Sequence, residues 1–377
     1  MKKAIKKIVS AVASVVLGFS MLTSSQVFAK NGNLGDVIGT DLNGYSKCLA
    51  IVPTEDSSSS MQGMASDGEY IYVAKIHLIR DDNKKVIGEN KARIYRFDPN
   101  LQYQKGNPQV IKNEKTNKEY ADFGHAGDMT AIKYDKHTYL LILEKKGGNT
   151  LVHLLKVNNN DKRSTNVTYT EVTKHTIKGI EFGSISADFI EGNDNNQSQK
   201  TLYFKTGDKI YKGSIDIKSG TLNLDTKDKT KDYSYELKKY IKSIEYGFNN
   251  CTEPQGMCHY RSNSENCLFL SYSFDKNGKD KTRNIIIKYP LDLEKYKDIK
   301  KYPQLYNKVT KEWERKPIEY YTIDARYTGD AQDLVNKNSP VIQFELEGCA
   351  LIGTKLIYTT DSQKSGVNYD GIYLSKY

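Results

Sequence analysis

The chain has 377 residues, of which 38% are hydrophobic and 27% charged, and its 56 basic against 46 acidic side chains give a formal charge of +10. Four of the lysines, Lys2, Lys3, Lys6 and Lys7, stand in the opening segment, so the chain beyond residue 29 is only mildly basic; mixed runs such as Lys227-Asp228-Lys229-Thr230-Lys231-Asp232 read as solvated loops, and nucleic acid is not an expected partner. Five scattered cysteines, Cys48, Cys251, Cys258, Cys267 and Cys349, are too few and odd in number for a disulfide scaffold, and no Cys-x-x-Cys spacing signals zinc.

The basic start runs into an apolar stretch from Ile8 to Leu22 and then Val27-Phe28-Ala29, the pattern of a secretory signal cleaved after Ala29. Export is therefore expected, to the medium or a loosely held surface position, with no transmembrane segment and a monomeric product. Residues 30–45 read as a flexible lead and residues 46–377 as one domain. Ser46 to Val52 is an apolar strand standing apart from the rest.

Next come alternating or apolar runs at 61–66, 69–77, 92–98 and 107–112, with Asp67-Gly68 as a hairpin turn. A second set lies at 126–134, 138–144, 150–157 and 168–176, and a third at 184–190, 201–206 and 209–215. The fourth occupies 255–260, 266–274 and 282–288, with its outer strand delayed to 318–323 by a helical or irregular excursion over Leu291 to Glu314. The fifth, 346–352, 355–360 and 371–376, is one strand short.

Each set begins with a small polar cluster running into an apolar wedge: Gln62-Gly63-Met64, Gly127-Asp128-Met129, Ala187-Asp188-Phe189, Gln255-Gly256-Met257 and Glu347-Gly348-Cys349. A supersecondary unit recurring at tens of residues signals a repeat architecture. The spacings are too long and unequal for a β-solenoid. An open edge on the last sheet would recruit other chains; the strand at 46–52 can fill it, closing the ring. The expectation is an all-β, five-bladed β-propeller closed by an N-terminal strand that completes the last blade, or six blades if residues 290–340 form a degenerate one.

Gln62-Gly63-Met64 with Asp67-Gly68-Glu69-Tyr70-Ile71-Tyr72-Val73, Gly124-His125-Ala126-Gly127-Asp128-Met129-Thr130 and Gln255-Gly256-Met257 resemble secreted β-propeller proteins of low-GC Gram-positive bacteria, and distantly the helveticin J-like group of large bacteriocins. The likeness spans the repeat cores and implies a propeller fold. A bacteriocin-like antagonism of related bacteria is one function it implies.

Blade-entrance positions around a propeller axis are where ligands meet the fold. Aligning the wedges puts Gln62, Asp128, Asp188, Gln255 and Glu347 in a ring at the channel mouth, with His259 and Tyr260 lining it and His125 three residues before Asp128. Amides and carboxylates there suit sugar hydroxyls, or, with three acids, a hard cation such as calcium, although no cofactor is required. The expected partner is a glycan or anionic envelope polymer bound without catalysis. The alternative is a polysaccharide hydrolase or lyase using His125 with Asp128 or Asp188. The 28 tyrosines, alternating in strands, read mainly as core.

Overall fold

The computed structural model describes residues 37–41, 46–52, 60–77, 81–83, 85, 91–100, 108–161, 164, 166–188, 197–207, 209–231, 251, 253–262, 265–273, 283–291, 293–297, 304–307, 312–315, 318–324, 343–364, 367–368 and 370–375. The signal expected at residues 1–29 lies outside them, as does Phe189. Among the described residues every element is a strand.

Two strands precede the repeats, β1 (Val37–Asp41) and β2 (Ser46–Ile51). Unit one is β3 (Ser60–Ser66), β4 (Ile71–His77), β5 (Lys91–Phe97) and β6 (Gln109–Asn113), with the short β7 (Tyr120–Ala121) beside β5. Unit two is β8 (Met129–Tyr134), β9 (His137–Lys146), β10 (Asn149–Asn158) and β11 (Thr168–Ile177); unit three is β12 (Ser184–Ala187), β13 (Gln199–Thr206), β14 (Lys209–Asp216) and β15 (Thr221–Lys231). In unit four β16 (Glu253–Arg261), β17 (Asn266–Ser273) and β18 (Arg283–Pro290) are followed by β19 (Leu293–Lys297), β20 (Gln304–Asn307) and β21 (Glu312–Arg315) before β22 (Ile318–Asp324) returns to pair with β18. Unit five is β23 (Gln343–Ile352), β24 (Lys355–Lys364), the short β25 (Val367–Asn368) and β26 (Gly371–Ser375), and β2 pairs antiparallel with β26 as its fourth strand.

Three elements differ from the sequence reading. Within the stretch expected as a flexible lead, β1 adds in parallel to the edge of unit four, Val37 opposite Ile318. The excursion expected as helical or irregular forms a separate three-stranded sheet, β19-β20-β21. The lysine- and aspartate-rich run expected as a loop continues β15 as far as Lys231, where Lys209, Ile210 and Tyr211 pair with it. Alternating charges are stable on an outer strand because they need no buried face, and they discourage edge-to-edge association.

Strand alternation closes the ring. Because successive side chains point to opposite faces, Leu140 and Ile142 pack toward unit one with Tyr72 and Met129, whereas Leu141 and Leu143 pack toward unit three with Ile185 and Phe204. Likewise Ile285 and Ile287 join Tyr203 of unit three, and Ile286 joins Leu346 and Tyr358 of unit five. The remaining cluster brings Ala350 and Ile357 of unit five onto Met64, Ile71 and Val73 of unit one. The innermost strands follow the same circle, β3 beside β8, then β12, β16, β23 and β3 again. This is a β-propeller. Tyr70, Tyr72 and Tyr95 are fully buried in it, as core residues. All five cysteines are buried and none is in a disulfide.

At the seam, Lys75 Nζ of β4 lies 2.8 Å from the Asp370 carboxyl beside β26, both side chains fully enclosed. Lys75 also donates to the carbonyl of Val52, whose amide donates to the carbonyl of Asp370. Burial pushes the Asp370 carboxyl up to about 8 against the pull of Lys75, with Asp361 adding to the rise. A raised carboxyl contributes stability that is complete below its unfolded value near 4 and lost as pH climbs to about 8. Between pH 6 and 8 the unfolding free energy should fall by roughly 1 kcal/mol per pH unit, and Asp370→Asn should flatten that slope in urea titrations.

Candidate functional site

Three of the five recurring polar clusters turn out to be β-bulges. Pairing with the second strand shifts register between Met61 and Met64, between Pro254 and Met257, and between Leu346 and Gly348. Each bulge bends its innermost strand toward the axis, where backbones meet at distances that leave no room for a side chain. A Cβ on Gly63 would stand 2.5 Å from the Cα of Asp128, one on Gly256 3.0 Å from the Cα of Gly348, and one on Gly348 3.0 Å from the amide of Met64.

Asp128 fills the space that those glycines vacate. It is 1% exposed. Its carboxylate accepts the amide of Ile185 in unit three at 2.9 Å and its own neighbour Met129 at 2.9 Å, and the amide of Met257 also favours its charge. Burial nonetheless drives its pKa well above the ordinary value, the amides pulling the other way. His125, by contrast, is exposed in the turn before β8. A carboxylate enclosed this way, with both oxygens accepting amides, cannot exchange protons with a ligand at the mouth. His125 and Asp128 thus stand in different surroundings, one exposed and the other enclosed.

Asp188 is not the counterpart of Asp128. Register places Ile185 opposite Phe204 where the other units place Met129 opposite Ile142 and Met257 opposite Leu270, so Ile185 is the wedge of unit three and Ser184 its axial residue. Gly183-Ser184-Ile185 is the sequence match to Gly127-Asp128-Met129, and Ala187-Asp188-Phe189 only imitates it. The expected ring therefore divides between the two ends of the inner strands.

At one end stand Gln62, Gln255 and Glu347. Gln62 Nε2 donates to the Met61 carbonyl at 2.6 Å; Gln255 Nε2 donates to Glu345 Oε1 and to Ser273 Oγ, both at 3.0 Å. Beneath these half-buried amides, Glu345, Glu347 and Asp361 each present an oxygen within 4.8 Å of the others, and Ser60 of unit one donates to Asp361 at 3.0 Å. Glu345 and Asp361 are additions the sequence reading missed; they meet because β23 and β24 pair them across the strands.

At the other end are Asp188, His259 and Tyr260, four residues or about 13 Å of extended chain beyond Gln255. His259 is buried, its Nδ1 3.1 Å from Asp188 Oδ1 and its Nε2 2.9 Å from Asn266 Oδ1, and its ring stacks on Tyr203. Tyr260 packs against the cluster between units four and five. Between the two ends lies a cavity of about 30 Å³ walled by Met64, Met129, Met257, Cys349 and the residues following them. It accommodates one or two waters.

A further polar group escaped sequence reasoning because its members lie on three different strands, β9, β10 and β11. Buried His153 holds Glu171 at 2.8 Å through Nδ1 and Glu144 at 2.9 Å through Nε2, under the ring of Phe123.

No protein-family model matches the chain, and no curated protein sequence is similar to it. Among solved structures, it is similar to an exo-1,5-α-L-arabinanase from a bovine ruminal metagenomic library, 9% identical over 86% of this chain and 95% of that one, with a TM-score of 0.41. A glycosyl hydrolase from Bacteroides ovatus is 10% identical over 93% and 92% of the two chains, TM-score 0.41, and the Dos1 propeller 8% over 88% and 95%, TM-score 0.29. These likenesses assign neither substrate nor mechanism to this chain.

Asp128→Ala should lower the unfolding free energy by roughly 2 to 5 kcal/mol, since at least two buried amides lose their acceptor. Gly63→Ala should be as damaging through overpacking, while Gly127→Ala, whose Cβ meets nothing within 4 Å, should cost under about 1 kcal/mol. Urea unfolding of the three variants measures this.

Proposed function

We propose that the chain is an exported five-bladed propeller that binds a neutral, hydroxyl-rich carbohydrate of a cell envelope at the Gln62, Gln255 and Glu347 end of its axis, without acting on it chemically. What carries this reading is the convergence there of amides and carboxylates from three neighbouring units. An amide offers both a donor and an acceptor, and a carboxylate accepts from paired hydroxyls, which is the complement of a sugar edge. The acidic floor under Gln62 and Gln255 opposes an anionic polymer, so the neutral class is favoured over the anionic one despite the basic composition. The leader-like opening supports export.

The purified chain, titrated against arrays of neutral and acidic glycans and against wall fractions, should bind a neutral glycan. Loss of the two amides in the Gln62→Ala/Gln255→Ala variant should weaken that binding about tenfold. Unchanged affinity in the double variant would remove the site, and new reducing ends in the mixture would turn the assignment to hydrolysis.

A further inference from the structure

Four of the five cysteines, Cys48, Cys258, Cys267 and Cys349, gather in the apolar cluster between units four and five. Cys251 lies apart, in the cluster that faces unit three. A buried thiol packs as a small apolar group, so what decides whether any of these can do more is how their strands meet.

Two partners compete for Cys258. Cys267 lies on β17 of the same sheet, where Cys258 is opposite Phe269 and Cys267 is opposite Tyr260. Diagonal neighbours of that kind have Cα atoms about 7 to 8 Å apart, beyond a disulfide's reach without backbone movement. Cys349 comes instead from the innermost strand of unit five, and there the two backbones touch. A Cβ on Gly256 would stand 3.0 Å from the Cα of Gly348 and 3.3 Å from the Glu347 carbonyl oxygen. Cys258 follows Gly256 by two residues and Cys349 follows Gly348 by one; both wall the axial cavity, and their thiols bond to each other. The Cys349 thiol also lies 3.6 Å from the carbonyl oxygen of Phe269, the residue opposite Cys258, which places it against that strand pair of unit four.

We propose that Cys258 and Cys349 form a disulfide that ties unit four to unit five beside the axis, made by exchange with a small external disulfide. One cysteine, as thiolate, attacks a sulfur of the small disulfide and expels a small thiolate; the second cysteine then attacks the mixed disulfide, closes the Cys258–Cys349 bond and releases the other half. The two cysteines are oxidised, the small disulfide is reduced to two thiols, and the two cysteine protons end on them. Burial holds the Cys258 thiol well above its ordinary range, with the Cys349 and Cys267 thiols and the Asp128 charge adding to the rise. Because the thiolate is the attacking species, exchange belongs to the time when the ring closes, before the cluster encloses both sulfurs. The outer strand of unit five is held by the hydrogen-bonded ladder of β2 on β26; this bond would give the same unit a covalent hold on its inner side. It is independent of whether a glycan binds.

The full chain, unfolded in urea with reductant and refolded in a mixture of oxidised and reduced glutathione, should be alkylated, digested without reduction and mapped by mass spectrometry. The expected result is one intrachain bridge joining the Cys258 and Cys349 peptides, with Cys48, Cys251 and Cys267 alkylated. A bridge closing a loop of roughly 90 residues should raise Tm by about 5 °C over the reduced chain. Cys258→Ala and Cys349→Ala should each abolish that difference, and Cys267→Ala should keep it. Alkylation of all five cysteines after oxidative refolding, or a bridge between any other pair, would overturn the proposal. If a variant does not fold, the wild-type peptide map decides alone. The mapped bridge in a chain that binds no glycan would leave this proposal in place and remove only the carbohydrate reading.

Discussion

Everything in this propeller depends on how the edges of its innermost strands are brought together at one axis. An innermost strand has a ladder partner on one side only, so the amides and carbonyls on its other side need acceptors and donors from elsewhere. The chain supplies them from side chains of the adjacent unit. Asp128 and Thr130 accept the amides of Ile185 and Ala187, Ser186 accepts the amide of His259, Ser184 donates to the Gln255 carbonyl, and Asn284 bonds both to the Phe344 carbonyl and the Leu346 amide. Each bond reaches from one unit to the next, so the apolar clusters between units and the polar stitches at the axis enforce the same circular order.

That constraint separates the two mouths. With the centre filled by Asp128 and the wedge side chains, a ligand can address one end or the other, and the two ends offer different chemistry. One gathers amides over a pool of acids; the other has a single buried histidine between Asp188 and Asn266, against Tyr203. Residues four apart on one strand, such as Gln255 and His259, belong to different surfaces even though they look like one motif in the sequence.

Much of the architecture was legible because alternation and turn chemistry act locally. Tyr70-Ile71-Tyr72-Val73 following Asp67-Gly68 could be little else than the second arm of a hairpin, and Gly68 does adopt a positive φ. The spare strand at Ser46 to Ile51 was identifiable from what unit five lacked. What failed were features that depend on pairing. Asp188 was aligned with Asp128 because both precede an apolar residue, whereas the register with Phe204 selects Ser184 and Ile185. Glu345 and Asp361 were invisible as a pair, since nothing in either segment states that one residue will lie across from the other. The strand β15 went unread because its outer half carries charge at nearly every position, a pattern permitted only at a sheet edge.

The lack of symmetry among the axial residues has an electrostatic reason. Two ionised carboxylates about 5 Å apart repel by roughly 3 kcal/mol even at an effective dielectric of about 20, so a ring of five equivalent acids would accumulate a cost comparable to the stability of the whole fold. The chain avoids it by placing one carboxyl, Asp128, at the axis, where surrounding amides share its charge and burial favours its protonated form. Glycine occupies that level in units one, four and five and serine in unit three, the residues that allow the backbones to approach. Away from the axis the same crowding does occur, at the closing seam, where Glu345, Glu347 and Asp361 bring their oxygens within 4.8 Å of one another beside donors from units four and one. A chain that repeats its backbone geometry around a ring does not have to repeat its charges there, and here the repeat is broken at the seam that closes it.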